Sequence, residues 1–281
     1  MAINGSTKLY GILGHPVGHS LSPVMHNAAL AAMGINGVYI PMDVTDIRAA
    51  VSGLRALGFI GVSVTIPHKE EVMGCLDEID PVAQRIGAVN TLLFRQKPGE
   101  ERVTARGFNT DWLGANLALA EKIPLTGSRV LVIGAGGAAK GVCFGLVEAG
   151  AEVVITNRTK AKGQALADWL GCSFIPSDQV GDIHADALIN TTSVGMEPDV
   201  DGIAVAPALL DNFSVVMDIV YAPLTTRLLR EAEKAGCQTI DGLSMLLFQA
   251  AVQLKIWTGE KPPQDVMRRA LVEELRRRKA S

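Results

Sequence analysis

Residues 130–139 read Val-Leu-Val-Ile-Gly-Ala-Gly-Gly-Ala-Ala, and this stretch decides the fold expected for the chain. Its apolar half predicts a strand, its glycines predict a tight turn, and its small residues open a helix. This junction binds phosphate, because backbone N–H groups and the positive end of the helix dipole point at the anion. Glycine-rich turns also close ordinary βα loops, but this context favours a dinucleotide site at Gly134, Ala135, Gly136, Gly137 and Ala138.

The chain after this stretch continues to alternate strands and helices. Strands are predicted at 152–156, 187–190 and 215–219, and helices at 138–149, 159–170, 224–235, 242–252 and 263–278. Such alternation is typical of a doubly wound, Rossmann-like sheet.

The chain before it shows a similar alternation. Strands are predicted at 8–13, 38–42 and 60–66, with helices at 22–34 and 45–57 between them. In the first helix, Ser22 is expected to be the N-cap and Pro23 the first helical residue. The Pro98-Gly99 pair predicts a hairpin between strands at 88–94 and 103–107. The fold class is therefore α/β, and this part of the chain is expected to hold a second, mainly parallel sheet.

Length and charge limit the possible functions. At 281 residues the chain exceeds one small core, so two domains are expected. Its net charge of −3 and pI of about 6.0 argue against binding to nucleic acid or an anionic membrane. No apolar run approaches the roughly 18 residues of a membrane span, and the N-terminus does not resemble a secretory signal. We therefore expect a cytoplasmic protein whose partner is a small molecule.

The metal-ligating residue types show no pattern typical of a metal site. His15, His19 and His26 lie near one another in sequence, but Pro16 and Gly18 break helical spacing and no carboxylate or cysteine is close. The cysteines are scattered, which favours buried free thiols over disulfides or zinc: Cys75, Cys143, Cys172 and Cys237. No metal is expected.

Asn157, Arg158 and Thr159 follow the strand at 152–156, about 20 residues past the glycine turn, where an NAD site places an acidic residue on the ribose 2′-hydroxyl. No acid stands there. An arginine fork, with ammonium groups such as that of Lys162, can neutralise a 2′-phosphate. The alternative is a solvated basic helix start, which is unfavourable for the helix dipole. The residues that follow this strand therefore predict NADP(H) as the cofactor.

Lys69 and Asp111 each follow a predicted strand, where parallel sheets place ligand chemistry. A carboxylate keeps a nearby lysine in its ammonium form, which stabilises charge on a substrate oxygen and transfers a proton. From spacing alone, a surface lysine and a helix-capping aspartate are the better explanation, because 42 positions separate the two residues. Several polar residues at strand ends suit recognition of a hydroxylated ring, although each also suits a cap or turn: Ser20, Ser22, Ser63, Thr65, Asn90, Thr91 and Asn109.

Taken in order, the motifs resemble the shikimate dehydrogenase family over nearly the whole chain. They lie at 14–16, 20–23, 64–69, 87–91, 109–111, the glycine turn, 157–159, 190–196 and 241–249. The resemblance implies NADPH-dependent, reversible reduction of 3-dehydroshikimate to shikimate, in the biosynthesis of chorismate and aromatic amino acids, without a metal. It also makes a catalytic pair of Lys69 and Asp111 the favoured interpretation.

The same resemblance implies binding roles, position by position. Ser20 and Ser22 would bind the substrate carboxylate. The ring hydroxyls would be bound by Thr65, Lys69, Asn90, Asp111 and Gln249. The nicotinamide would lie near Ile219, Tyr221 and Gly242. The rest of NADP(H) would be bound by residues 134–138 together with Asn157, Arg158, Thr159 and Lys162. Many members have asparagine where this chain has Ser63, and the shorter reach of the serine side chain bears on substrate preference. Lys162 replaces a frequent arginine, which keeps the charge without the bidentate fork.

The resemblance also implies the domains. Residues 1–112 with 247–281 would form the substrate-binding catalytic domain, and residues 113–246 the NADP-binding Rossmann domain; a homodimer is compatible with it. Two alternatives stay open. One is a quinate/shikimate dehydrogenase using NAD or NADP, although Arg158 argues against NAD. The other is a non-enzymatic ligand-sensing module, against which the presence of both Lys69 and Asp111 argues.

Overall fold

A computed structural model describes residues 3–96, 99 and 102–280, and its chain divides into two compact units. Unit 1 consists of Met1–Thr110 together with Ala250–Ser281, and unit 2 consists of Asp111–Gln249. Each unit is organised around its own six-stranded sheet. The α/β class expected from the sequence is confirmed.

Unit 1 contains the first six strands and the first three helices, with further helical segments from the end of the chain. The strands are Lys8–Gly14 (β1), Gly37–Asp43 (β2), Phe59–Val64 (β3), Glu78–Ile79 (β4), Thr91–Gln96 (β5) and Val103–Phe108 (β6). The helices are Ser22–Ala32 (α1), Ile47–Ala56 (α2) and Pro81–Ile86 (α3), with a 3₁₀ turn at Glu71–Cys75. The strand order is β2-β1-β3-β5-β6-β4, in which β1 runs parallel to β2 and β3.

The fifth strand interrupts the parallel arrangement of this sheet. It pairs antiparallel with β3 and with β6, and the β5–β6 pairing extends to Gln96 opposite Val103. The predicted hairpin is therefore confirmed, although Pro98 itself lies outside the described residues.

The start of α1 differs from expectation. Ser22 is the first helical residue, and Leu21 before it already has helical backbone angles, so Ser22 is not the N-cap. A capping side chain needs an extended backbone at its own position. Instead, the Ser20 hydroxyl accepts a hydrogen bond from the Ser22 N–H at 3.2 Å.

Unit 2 has the strand order of a Rossmann fold. Its strands are Arg129–Ile133 (β7), Glu152–Thr156 (β8), Ser173–Ile175 (β9), Ala185–Asn190 (β10), Phe213–Asp218 (β11) and Gln238–Ile240 (β12). They are all parallel, in the order β12-β11-β10-β7-β8-β9. The order reverses at β7, the strand that leads into the glycine turn, and ligands bind at such a switch point.

The remaining helices are Asp111–Ala120 (α4), Gly137–Glu148 (α5), Lys160–Leu170 (α6), Arg227–Lys234 (α7), Gly242–Thr258 (α8) and Gln264–Ala280 (α9), with 3₁₀ turns at Ser177–Asp182 and Pro207–Asn212. Helix α8 begins in unit 2 and ends in unit 1, and α9 belongs to unit 1. Helix α7 starts later than predicted because Thr226 caps it, accepting a hydrogen bond from the Leu229 N–H. The edge strands β9 and β12 were not predicted, since each has only three residues and shows too little alternation.

Each unit has its own apolar core. In unit 1 the last turns of α8 cover the sheet so closely that a Cβ on Gly61 would collide with the indole of Trp257. The same indole lies beside the rings of Tyr10, His26 and Tyr39, with centroids 5.4 to 6.1 Å away. Across the described residues, the helices include none with the length and apolar character that a membrane crossing requires.

Candidate active site

One edge of the unit 1 sheet, formed by the carboxyl ends of β1 and β3 and the start of the antiparallel strand β5, brings three of the predicted substrate residues into one region. The Thr65 N–H donates to the carbonyl of Leu13 at 2.9 Å, which fixes it beside the end of β1. The Asn90 carbonyl accepts from the Val64 N–H, and the Lys69 carbonyl accepts from the Val89 N–H, each at 2.8 Å. Backbone pairing between neighbouring segments therefore gathers Thr65, Lys69 and Asn90 at one edge of the sheet.

The loop that carries Ser20 is tied to the last helix. Arg278 donates to the carbonyls of His19 at 2.6 Å and Ser20 at 3.4 Å. Glu274, which is buried, accepts from Arg278 and Arg277 at 2.8 Å, and these contacts lower the pKa of Glu274 to about 2. In the structure these arginines form a specific network that holds the loop.

Asn90 is almost fully buried and highly connected. Its Oδ1 accepts from the Thr110 N–H at 2.8 Å and from the Thr91 hydroxyl at 2.7 Å, while its Nδ2 lies 3.0 Å from the Thr110 hydroxyl. These contacts fix which end of the side-chain amide is oxygen. Asn90 is therefore a rigid group directly before the start of β5.

Asp111 and Gln249 belong to unit 2, whereas Lys69 belongs to unit 1. Asp111 is the first residue of α4, and its carboxylate is largely buried. The Gln249 side-chain amide donates to the Leu246 carbonyl at 3.0 Å within α8. The pairing of Lys69 with Asp111 stays a prediction.

The glycine turn of unit 2 has the geometry that a phosphate requires. Gly134 has φ of 121°, and a Cβ there would collide with the Thr191 hydroxyl, so glycine is needed at this position. Gly136 is the N-cap of α5 and provides no side-chain cap, and α5 has no acidic residue in its first turn. A Cβ built on Gly136 or Gly137 meets nothing within 4 Å. The helix N-terminus thus offers N–H groups and open space to an anion.

A cavity of about 450 Å³ lies in unit 2 at the ends of β7, β8 and β10. Its polar lining residues are Thr156, Asn157, Arg158, Ser177, Thr192 and Ser193. The hydroxyl of Thr156 is buried and has no hydrogen-bond partner within the described part of the chain. The predicted residues Thr159 and Lys162 are exposed at the start of α6 and are not part of this lining. An arginine and several hydroxyl or amide groups, with no acid among the lining residues, suit a phosphorylated ribose.

The loop that carries Ile219 and Tyr221 is anchored by a buried carboxylate that the sequence patterns did not single out. Asp218 accepts from the Val220 N–H at 3.0 Å and from the Thr226 hydroxyl at 2.7 Å. Gly242 lies so close to this loop that a Cβ would collide with the Ile219 carbonyl. The backbone of these predicted nicotinamide residues is therefore held in one conformation. Asp218 could have been suspected from its place at the end of a core strand.

The structure also describes the groups considered for metals and disulfides. Within the described ranges, no group of three or more histidine, cysteine or acidic side chains is arranged to hold a metal ion. All four cysteines are free thiols, but only Cys143 and Cys237 are buried, whereas Cys75 and Cys172 are partly exposed. The prediction of buried thiols is therefore wrong for Cys75 and Cys172.

This geometry defines a class of protein: a two-unit α/β enzyme with a Rossmann-type cofactor unit. Three family models match the chain: the shikimate dehydrogenase substrate binding domain at residues 12–92, shikimate / quinate 5-dehydrogenase at 116–219, and the shikimate 5'-dehydrogenase C-terminal domain at 242–272. The NADP(+)-type shikimate dehydrogenase of Methanothermobacter thermautotrophicus is 47% identical over 98% of this chain and 99% of its own. The chain belongs to the shikimate dehydrogenase family.

Solved structures of family members agree with the fold. A shikimate dehydrogenase crystallised with NADP+ is 42% identical and superposes with a TM-score of 0.91 over 98% of both chains. The enzyme of Thermus thermophilus, crystallised with NADP(H) and shikimate, is 41% identical, with a TM-score of 0.87 over 95% of this chain and 99% of that one. The expected family and fold class are therefore confirmed.

Proposed function

We propose that the chain catalyses the reversible, NADPH-dependent reduction of 3-dehydroshikimate to shikimate. The observation that carries this proposal is a family match over nearly the whole chain, combined with a cavity in unit 2 lined by Asn157 and Arg158 where an NAD enzyme would place an acid. An arginine fork can make bidentate, charge-assisted hydrogen bonds to the 2′-phosphate of NADP, which the 2′-hydroxyl of NAD cannot match.

Residues of unit 2 would hold the cofactor. Gly134, Ala135, Gly136, Gly137 and Ala138 would receive the pyrophosphate at the N-terminus of α5. Asn157, Arg158, Thr159 and Lys162 would receive the phosphorylated ribose. Ile219, Tyr221 and Gly242 would position the nicotinamide, which supplies the hydride when NADPH is bound.

The residues assigned to the substrate would bind its carboxylate and the hydroxyls of its ring. The hydroxyls of Ser20 and Ser22 would donate to the carboxylate. The ring hydroxyls would be bound by Thr65, Lys69, Asn90, Asp111 and Gln249. Because these groups combine donors and acceptors, they favour a polyhydroxylated ring over an apolar one of the same size.

Lys69 and Asp111 form the proposed catalytic pair. The Lys69 ammonium would donate a hydrogen bond to the carbonyl oxygen of 3-dehydroshikimate and protonate it as the alkoxide develops. The Asp111 carboxylate would keep Lys69 protonated and orient it. In the reverse direction the neutral Lys69 amine would take the proton back from the substrate hydroxyl as hydride leaves. Neither step needs a metal ion.

We also propose the domain roles and the setting of the enzyme. Residues 1–112 with 247–281 would form the substrate-binding catalytic domain, and residues 113–246 the NADP-binding domain. A homodimer and a cytoplasmic location are further proposals, which sedimentation of the purified chain and fractionation of the source cells would test.

The experiment that tests the function follows the absorbance of reduced nicotinamide with shikimate or quinate, each with NADP or NAD. We expect the highest kcat/KM with shikimate and NADP. Turnover of quinate with NAD at an equal rate would replace the proposal with a quinate/shikimate dehydrogenase. Shikimate binding in a calorimeter without turnover in any combination would indicate a ligand-sensing module.

A further inference from the structure

A continuous series of buried side-chain hydrogen bonds crosses the interior of unit 1. The Tyr39 hydroxyl donates to Ser63 Oγ at 2.7 Å, and the Ser63 hydroxyl donates to Gln253 Oε1 at 2.8 Å. The three side chains come from β2, β3 and α8, and each residue is at most 5% exposed. Of these three residues, only Ser63 was singled out from the sequence.

Both ends of the Gln253 amide are committed. Its Oε1 accepts from Ser63, and its Nε2 donates to the Asn90 carbonyl at 3.1 Å and to the Thr91 hydroxyl at 2.9 Å. A flipped amide would direct its NH2 group at the donating Ser63 hydroxyl and would set two carbonyl oxygens, its own and that of Asn90, against each other. Because buried groups without partners are costly, only one orientation is stable.

The series continues into Asn90. Thr91, held by Gln253, donates its own hydroxyl to Asn90 Oδ1 at 2.7 Å, and the Thr110 N–H donates to the same oxygen at 2.8 Å. Two donors occupy the two lone pairs of that oxygen, so the Asn90 side chain can act toward a ligand only through its NH2 group. Gln253 contacts the backbone carbonyl of Asn90 and the hydroxyl of its neighbour Thr91. The orientation of the Gln253 amide is therefore coupled to that of the Asn90 amide.

The other end of the series approaches Ser22. The Tyr39 hydroxyl also interacts with the Ser22 side chain, and the Tyr39 ring stacks on His26 with a centroid distance of 4.3 Å. Burial raises the pKa of Tyr39 well above its ordinary value, so the phenol keeps its proton and remains a donor to Ser63. The series thus links Ser22 and Asn90, the two most buried of the residues assigned to the substrate.

We propose that Gln253 is a positioning residue for substrate recognition. Supported by Ser63 and Tyr39, it locks the Asn90 amide as a hydrogen-bond donor, so that a ring hydroxyl of the substrate is bound through its oxygen. This inference rests on the proposed function, since it assigns Asn90 to the shikimate ring. It adds residues that need not touch the substrate themselves.

The test compares Gln253→Met with Trp257→Phe. Methionine keeps the length of the side chain but removes both ends of the amide. Trp257 is the matched control, because it lies one turn further along α8 and donates to the Leu92 carbonyl at 2.9 Å without contacting Asn90. We expect Gln253→Met to raise KM for shikimate about tenfold while KM for NADP stays within twofold, and Trp257→Phe to lower Tm but leave both KM values within twofold.

A double-mutant cycle with Asn90→Ala decides whether Gln253 acts through Asn90. If it does, adding Gln253→Met to Asn90→Ala changes KM for shikimate by less than twofold. A full tenfold effect in that background, or equal effects of Gln253→Met and Trp257→Phe, would overturn the inference. Should Gln253→Met fail to fold, Tyr39→Phe removes one hydroxyl of the series, and a KM increase of about threefold is expected.

Calorimetric binding of shikimate to the same variants separates this inference from the proposed function. A wild-type chain that binds shikimate but does not turn it over would refute the enzyme activity, and the binding constants of the variants would still decide the role of Gln253. Active wild-type protein with unchanged affinity in Gln253→Met would refute the positioning role alone.

Discussion

Asn190 and Asp218 lie opposite each other at the carboxyl ends of the parallel strands β10 and β11, and the Asn190 amide donates to the Asp218 carboxylate at 3.0 Å. Asn190 Oδ1 in turn accepts from the Thr192 N–H at 3.0 Å and from its hydroxyl at 2.7 Å. Together with the bonds that Asp218 accepts from Val220 and Thr226, this pair fixes two loops. One loop lines the proposed cofactor cavity, and the other carries Tyr221.

We expect Asp218→Asn to lower the free energy of unfolding by about 1–3 kcal/mol, because both oxygens of Asp218 accept hydrogen bonds and the NH2 group that replaces one of them cannot accept. Burial raises the pKa of Asp218 above its ordinary value of 3.8. A raised carboxyl pKa contributes stability that is present at low pH and is lost as pH rises through the native pKa. The difference in unfolding free energy between wild type and Asp218→Asn should therefore be largest near pH 4 and become smaller as pH rises. Urea unfolding at several pH values measures it.

The exposed Asp199 provides the control for that series, and Asp199→Asn should change stability by less than about 0.5 kcal/mol at every pH. A difference for Asp218→Asn that grows with pH would contradict the assigned direction of its pKa shift.

For catalysis, we expect Lys69→Ala to lower kcat about a hundredfold or more, because positioned proton transfer is worth roughly 10² to 10⁴. The cofactor affinity should be nearly unchanged, since Lys69 belongs to unit 1 and the residues assigned to NADP belong to unit 2. Steady-state kinetics with shikimate, and fluorescence titration with NADPH, give the two quantities. A kcat within a few-fold of wild type would remove Lys69 from the mechanism, and an increase in KM alone would make it a binding group. The exposed Lys122 serves as a matched lysine control.

Arg158→Ala should weaken NADP about ten- to a hundredfold and NAD little, because the charge-assisted hydrogen bonds are lost only with the 2′-phosphate. The dissociation constants of both cofactors, measured on the same protein, make NAD the internal control. Equal weakening of the two would mean that Arg158 supports the wall of the cavity and does not read the phosphate.

Ser20→Ala should raise KM for shikimate several-fold, since a hydroxyl donor to an ion contributes about 1 to 3 kcal/mol. It should also cost stability, because the Ser20 hydroxyl accepts from the first N–H of α1. Kinetics with shikimate and with a neutral analogue lacking the carboxylate separate the two effects. A loss confined to shikimate supports carboxylate binding, whereas the same loss with the analogue would show that Ser20 only shapes the loop.

Glu274→Gln should weaken the network that holds this loop. The two arginines lower the pKa of Glu274 to about 2, from an ordinary value of 4.5. A lowered carboxyl pKa contributes stability above the unfolded pKa that is lost as pH falls through the native pKa. We expect the variant to be about 1 kcal/mol less stable at neutral pH, with the difference disappearing between pH 4.5 and 2. Thermal unfolding of this variant and of Glu273→Gln, an exposed neighbour, tests the prediction; a loss that persists at pH 2 would contradict it.

The sequence by itself determined the class of fold and predicted which residues hold the cofactor. The strand at 129–133, the glycine turn and α5 are contiguous, so their conformations follow from local sterics, hydrophobic periodicity and the dipole of one helix. The roles of Asn157 and Arg158 could be predicted for the same reason, because they directly follow the strand at 152–156.

Tertiary structure alone decided the interior of unit 1. Ser63 and Gln253 are 190 positions apart, and their hydrogen bond exists only because α8 packs on β3 at Gly61. Likewise, both Ser20 and Ser22 suit a helix cap by residue type, and only the backbone conformation of Leu21 makes Ser20 the acceptor. Hydrogen bonds need a donor and an acceptor about 3 Å apart in a defined direction, and no periodicity along a chain encodes that geometry for residues far apart in sequence.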